Sequence, residues 1–201
     1  MAVTSSVASS GLLDVLPAAG EWTEADYYPL SERGRLVELS DGNVEVIEVP
    51  TDFHQLILLR LSLALQLFVS QHKLGRVRFA PLPVRLWPGK IREPDLMFMS
   101  TAHVGRIGKY WGVPDLAVEI LSEGTEFKDR NIKRIEYEQA GVSEYWIIDP
   151  EALSVEILSR NEQTAGYDTA ALLGQDATLT SALFPGFSLA LADLFADENS
   201  E

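Results

Sequence analysis

Two carboxylates stand where apolar residues are expected. In "PDLAVEIL" (114–121) Glu119 interrupts a run that is apolar at both parities, and in "EPDLMFMS" (93–100) Asp95 leads a second such run. Side chains alternate along a strand, so Glu119 shares a face with Ala117 and Leu121, and Asp95 shares one with Met97 and Met99. Burying a carboxylate is costly unless it is paired, hydrogen-bonded or bound to a metal. Two carboxylates entering a sheet from adjacent strands could hold a divalent cation such as Mg²⁺, which prefers oxygen ligands and keeps waters for substrate oxygens. The plainer alternative is that Asp95 caps a turn after Pro94 and Glu119 pairs with an arginine.

The cation to answer Glu119 is either Lys128 or Lys133. Asp129, Lys133 and Tyr137 are spaced by four, which puts all three on one helical face directly after the Glu119 strand. Lys128 precedes that face. An ammonium aimed at a metal-bound carboxylate site would orient or deprotonate an attacking water and offset charge on a phosphate. An ordinary surface pair of Asp129 with Lys133, worth about 0.3–0.5 kcal/mol, explains the same spacing.

The elements that must position these residues can be read in order. Thr23 and Asp26 stand at capping-box spacing before a short helix, and Asp41 and Gly42 between two alternating runs predict a hairpin. Asp52 is the expected cap of a helix over about 53–72, whose apolar residues cover more than one stripe and so predict burial on two sides. "RVRFAPLPVRLWPG" reads as short strands broken by Pro81 and Pro83. The Asp95 and Glu119 strands, apolar on both faces, are the expected sheet centre. "EFKDRNIKRIEYEQAGV" reads as a helix ending at Gly141, and "EYWIIDPEALSVEILS" as strand, turn and strand. A short final helix follows within "FPGFSLALADLF".

Composition narrows the classes. At 201 residues, 46% of them hydrophobic, the chain has the material for one core, expected over 21–196 between a flexible leader (1–20) and a disordered acidic tail (197–201). It contains no cysteine, which excludes disulfides and thiolate metal sites and suits a cytoplasmic location. The leader lacks the charged start and apolar centre of a secretory signal. The stretch from Leu56 to Val69 is interrupted by Arg60, Ser62 and Gln66 and falls short of a span of roughly 20 residues, so no membrane partner is expected. The net charge of −14 argues against nucleic acid overall. Between Lys73 and Lys109, however, the basic residues are Lys73, Arg76, Arg78, Arg85, Lys90, Arg92, Arg106 and Lys109, against Glu93 and Asp95 alone. That stretch is either a solvated rim or a functional patch.

The motifs "DGNVEVIEVPTDFHQLI", "REPDLMFMS", "VPDLAVEILSEGT", "DRNIKRIEYEQAGVSEYWIIDP" and "FPGFSLALADLF" together resemble the Uma-two family of endonuclease-like proteins, from about Trp22 to Phe195. The resemblance implies the PD-(D/E)XK nuclease superfamily: an α/β fold with a restriction-endonuclease-like mixed β-sheet flanked by helices, and metal-dependent cleavage of DNA phosphodiesters. It implies that Pro94 and Asp95 form the PD element and that Glu119 is the second acid. The lysine expected two residues on falls at Leu121, a departure that the family resemblance repairs with Lys133 on the following helix. Mg²⁺ or Mn²⁺ is then the implied cofactor, held by Asp95, Glu119 and the Ile120 carbonyl. His54, Glu48, Asp129 and Tyr137 are implied accessory positions, the last two for positioning Lys133. A homodimer is an implied possibility, and "KYWG", where Tyr110 and Trp111 read as exposed beside Lys109, is the stretch nominated for an interface or a substrate contact. Two rivals stand beside this reading: a nuclease-fold protein that binds nucleic acid or a partner protein without cutting, and a glycosidase using Asp95 and Glu119 as paired acids.

Overall fold

The computed structural model describes residues 16–161 and 163–196. The expected leader falls mostly, and the acidic tail wholly, outside them. The Asp26 carboxylate accepts the Thr23 backbone N–H at 3.0 Å, as the capping-box spacing predicts, and α1 (Glu24–Ser31) follows. Asp41 and Gly42, at φ 50° and 74°, turn β1 (Val37–Ser40) into β2 (Asn43–Val46), since a two-residue hairpin loop of this kind needs left-handed backbone at both central positions. α2 (Asp52–His72) is capped not by Asp52 but by Thr51, whose hydroxyl accepts the His54 N–H at 3.2 Å. Beyond it lie β3 (Gly75–Phe79), β4 (Val84–Trp87) and β5 (Lys90–Arg92), with the proline-broken segment between β3 and β4 as expected.

β5 runs through Glu93, Pro94 and Asp95 into β6 (Leu96–Ser100). β7 (Leu116–Ile120) is followed by a π-helical turn, Lys128–Lys133, that continues into α3 (Arg134–Ala140) and ends at Gly141, φ 88°. β8 (Glu144–Asp149), β9 (Ser154–Arg160), β10 (Tyr167–Gly174), β11 (Thr178–Leu179), β12 (Leu189–Ala190) and α4 (Leu191–Leu194) complete the order.

The main sheet has the order β10-β9-β8-β7-β6-β3 and is antiparallel except between β7 and β8. Parallel neighbours require a crossover, and the π turn with α3 supplies it. A smaller antiparallel sheet, β2-β1-β5-β4, joins the main one through the β5 to β6 passage. The strand parities are those read from the sequence. Leu116, Val118 and Ile120 face α2, where Ile57, Leu61, Leu65 and Val69 cover them. Ala117 and Leu121 face the other way, with Met97 and Met99, toward Tyr137 of α3 and Val84 of β4.

Three expectations are corrected. The second apolar stripe of α2 is not buried: Leu59, Leu63 and Leu67 are exposed. Trp111 is 4% exposed and packs in the α3-side core, while Tyr110 stacks on Tyr28 with centroids 4.3 Å apart and donates to Glu32. The basic stretch is not one patch. Arg85 pairs with Glu24, Lys109 pairs with Glu32, and Lys90 and Arg92 are buried, which leaves Lys73, Arg76 and Arg78 as exposed charges on and beside β3 and Arg106 as an exposed charge apart from them, its guanidinium on the Val113 carbonyl.

Candidate active site

Asp95 and Glu119 arrive at one place because their strands pair antiparallel. The register matches Leu96 with Val118, and one step further sets Asp95 across from Glu119. The Asp95 carboxylate caps the neighbouring strand by accepting the Ile120 N–H at 2.7 Å, and its Oδ2 lies 3.3 Å from His54 Nε2 at the start of α2. Glu119 is 4% exposed and fully engaged: Oε1 accepts the Tyr137 hydroxyl at 2.7 Å and Oε2 the Lys133 ammonium at 2.9 Å. Its partner is thus a lysine rather than an arginine. Lys133 Nζ also lies 3.1 Å from Asp129 Oδ1, so Asp129, Lys133, Tyr137 and Glu119 form one cluster.

The π-helical turn changes the lysine question. In an α-helix residues five apart diverge by about 140°, but the wider π turn brings them back toward one face. Lys128 and Lys133 therefore both reach Glu38 of β1, at 2.5 Å and 3.4 Å. Lys128 belongs to the cluster after all, one carboxylate further out than Lys133.

Glu38 is the residue that sequence reading passes over. It is 1% exposed, accepts Arg92 Nη1 at 2.9 Å and accepts the Glu93 N–H at 3.1 Å. Arg92, fully buried, is held in turn by Glu136 of α3 through Nε at 2.7 Å and Nη2 at 2.8 Å, and Lys90 shares the same carboxylate at 2.8 Å. Burial raises the Glu38 pKa, but Lys133, Arg92 and Lys128 outweigh it and hold the carboxyl below its usual value. Burial likewise opposes charge on Lys133, and Glu119, Glu38 and Asp129 overcome it, so the ammonium is held well above the ordinary lysine value. Glu119 goes the other way. Burial pushes it well above the carboxylate range, Lys133 pulls it back in part, and Asp129, Asp95 and Glu38 add to the push.

These groups open into a cleft of about 250 Å³ walled by Leu36 and Ile47 just beyond β1 and β2, His54 and Leu58 of α2, and the Ser122 to Thr125 loop. Glu48 reaches it from the segment after β2. Its carboxylate lies against Gly124, where a Cβ would approach Oε1 to 2.6 Å, so the absence of a side chain there makes room for it. Glu93 lines the same cleft with Oε1 on the Tyr27 hydroxyl at 2.9 Å and Oε2 without a hydrogen-bond partner. Asp129 Oδ1, despite its charge pairing with Lys133, also lacks an aligned hydrogen bond, as does His54 Nδ1.

The cleft wall is rich in carboxylate oxygens, the donor type that hard divalent cations take. Carboxylates outnumber cations around Lys133, oxygens of Glu93 and Asp129 are unsatisfied at the cleft wall, and Asp95 and Glu119 face it from paired strands. Among the described residues no group of three or more His, Asp or Glu side chains is arranged to hold a metal outright. A set of two carboxylates and a backbone carbonyl suits Mg²⁺, which retains waters and completes its shell with substrate oxygens.

The family described as "Uma2: Putative restriction endonuclease" matches residues 24–192, most of the chain. The chain belongs to the Uma2 family. A crystal structure from Anabaena variabilis ATCC 29413, described as "a putative nuclease belonging to DUF820", superposes with a TM-score of 0.66 at 18% identity, covering 79% of this chain and 89% of that one. At that identity the likeness bears on the fold, which is the restriction-endonuclease-like mixed sheet flanked by helices. No curated protein matches. In this Uma2 chain the position two residues after Glu119 is Leu121, 7% exposed in the α3-side core, and the ammonium beside Glu119 comes from Lys133.

Proposed function

We propose that this Uma2 protein hydrolyses DNA phosphodiester bonds in the cleft between its two sheets, using Mg²⁺ or Mn²⁺. The observation that carries the reading is the contact of Lys133 with Glu119 at 2.9 Å, beside Asp95 on the paired strand. Asp95, Glu119 and the Ile120 carbonyl would hold the ion. When bound, it would supply a Lewis acid for the phosphoryl oxygens and lower the pKa of a coordinated water.

The chain's own groups divide the remaining work. Lys133, held as an ammonium by three carboxylates, is a donor and a fixed positive charge; it orients water and phosphate oxygens and does not serve as a base. Tyr137 and Asp129 fix its direction and that of Glu119. His54, buried at the cleft wall, lies with its Nε2 3.3 Å from Asp95 Oδ2 and fixes the direction of that carboxylate. Glu48 lies beside Gly124 at the entrance, an additional oxygen donor for the ion or its waters.

Nicking of supercoiled plasmid at low salt with Mg²⁺ or Mn²⁺ tests the assignment. Glu119→Ala and Lys133→Met are each expected to lower the rate by about 100-fold or more; cleavage by Glu119→Ala at the wild-type rate would sink it. The rival, binding without cleavage, is favoured by the buried Leu121 at the position where the strand lysine is expected. It predicts no heat of Mg²⁺ binding at millimolar concentration in calorimetry, whereas the cleavage reading predicts a saturable isotherm that Asp95→Asn abolishes.

A further inference from the structure

We infer that the outer face of α2 is the contact between two copies of this chain, related by a two-fold axis at Leu63. Leu59, Leu63 and Leu67 follow one another at a spacing of four and form a single ridge on a helix whose opposite side lies on the sheet. With 55% of Leu59, 55% of Leu63 and 71% of Leu67 exposed, the ridge is open along two turns. Phe79, 57% exposed at the end of β3, extends it, and a groove of about 140 Å³ lined by Gln55, Leu59, Ser62 and Phe79 lies between them. The Ser62 hydroxyl in that groove is buried without a partner.

Charge decides which occupant fits. The exposed side of a surface helix ordinarily carries Lys and Glu. Here residues 53–71 contain no acid and two basic side chains, the buried His54 and Arg60, and the Arg60 guanidinium is turned onto the backbone carbonyls of Leu194 and Ala196. The outward polar residues are Gln55, Gln66, Ser70 and Gln71, all neutral. Two copies of a chain with net charge −14 repel each other over most of their surfaces, and this face lets them meet without opposing like charges. A lipid surface is a poorer match, because an interfacial helix carries Lys and Arg on its polar side and this one has none there.

The area is sufficient. The exposed parts of the three leucines and Phe79 amount to roughly 500 Å² of apolar surface per copy, hence about 1,000 Å² for a pair, where specific interfaces begin. A ridge with a spacing of four packs on its own copy at a crossing angle of about −50°. With the two helices antiparallel, such an isologous contact sets Leu63 against Leu63, and Leu59 of one copy against Leu67 of the other.

Sedimentation of the full chain at about 50 µM, in a range where weak dimers form, is expected to give twice the 22.2 kDa chain mass. Leu63→Lys places like charges face to face on the axis and is expected to weaken the dimer at least about 30-fold, with unchanged circular dichroism because the site is exposed. Leu63→Cys, in a chain without cysteine, is expected to cross-link to itself on mild air oxidation. Leu59→Cys and Leu67→Cys are expected to cross-link efficiently only when mixed. A wild-type chain that sediments as a single copy overturns the inference, as does a dimer indifferent to Leu63→Lys, or flotation of a monomer with phosphatidylcholine vesicles.

Discussion

Glu93 shows how much a single position in this cleft depends on its surroundings. Burial pushes its carboxyl up to about 7, the Tyr27 hydroxyl pulls it back, and the Glu38 charge adds to the push. The folded protein therefore binds a proton at Glu93 that the unfolded chain has released, between pH 4.5 and about 7. That contribution to stability is fully present below pH 4.5 and is lost as pH rises through about 7. Glu93→Gln, neutral at every pH, is expected to melt like wild type near pH 4.5 and several degrees higher at pH 8; a melting difference independent of pH would contradict the buried proton. Gly124→Ala is a second test at this scale. The clash is with the flexible end of Glu48, so thermal stability is expected to change little, about 0.5 kcal/mol or less, while Glu48 leaves the cleft; if the cleft takes Mg²⁺ as proposed, metal affinity falls with it. Glu119 was legible as a charge in an apolar run. Glu38 was not, because in "VELS" it occupies the polar parity of an alternating strand and reads as a solvent-facing residue. All four residues of β1 are buried in the fold, since α3 and the π turn cover the second face.

Ion pairs, together with the packing of Val84 and Leu86 in the core that holds Tyr137, fasten the small sheet to the crossover. Arg92 on β5 bridges Glu38 on β1 and Glu136 on α3, while Lys128 and Lys133 reach back from the π turn to Glu38. Removing one member leaves its partners buried and unpaired, so Arg92→Met is expected to cost about 3–5 kcal/mol, measurable by urea denaturation. Replacing Arg92, Glu38 and Glu136 together by apolar residues should cost less than the single change. The sequence specified a helix ending at Gly141 and the positions of β6 and β7. It did not specify the π turn, because one wide turn leaves the apolar period of the segment almost unchanged. The difference matters only when an opposite wall, here Glu38, measures where Lys128 and Lys133 come to rest.

At the scale of the molecule, charge distribution outweighs composition. Of the basic residues in the middle of the chain, Arg76 and Arg78 stand exposed on β3, the edge strand of the main sheet. If the cleft takes DNA as proposed, the double change Arg76→Ala and Arg78→Ala is expected to lower the slope of log affinity against log salt by about 2, and to weaken binding evenly across sequences. The sequence by itself determined the alternation of elements, the faces of the two central strands, and the pairing of acids that calls for a cation, because these follow from local periodicity and the cost of burying charge. Only the tertiary structure decided which cations answer those acids, which basic residues remain available to a partner, and which stripe of α2 is left uncovered. Those outcomes depend on the wall each residue meets across the sheet, and side chains more than thirty residues apart in the chain, such as Glu38 and Lys133, set them.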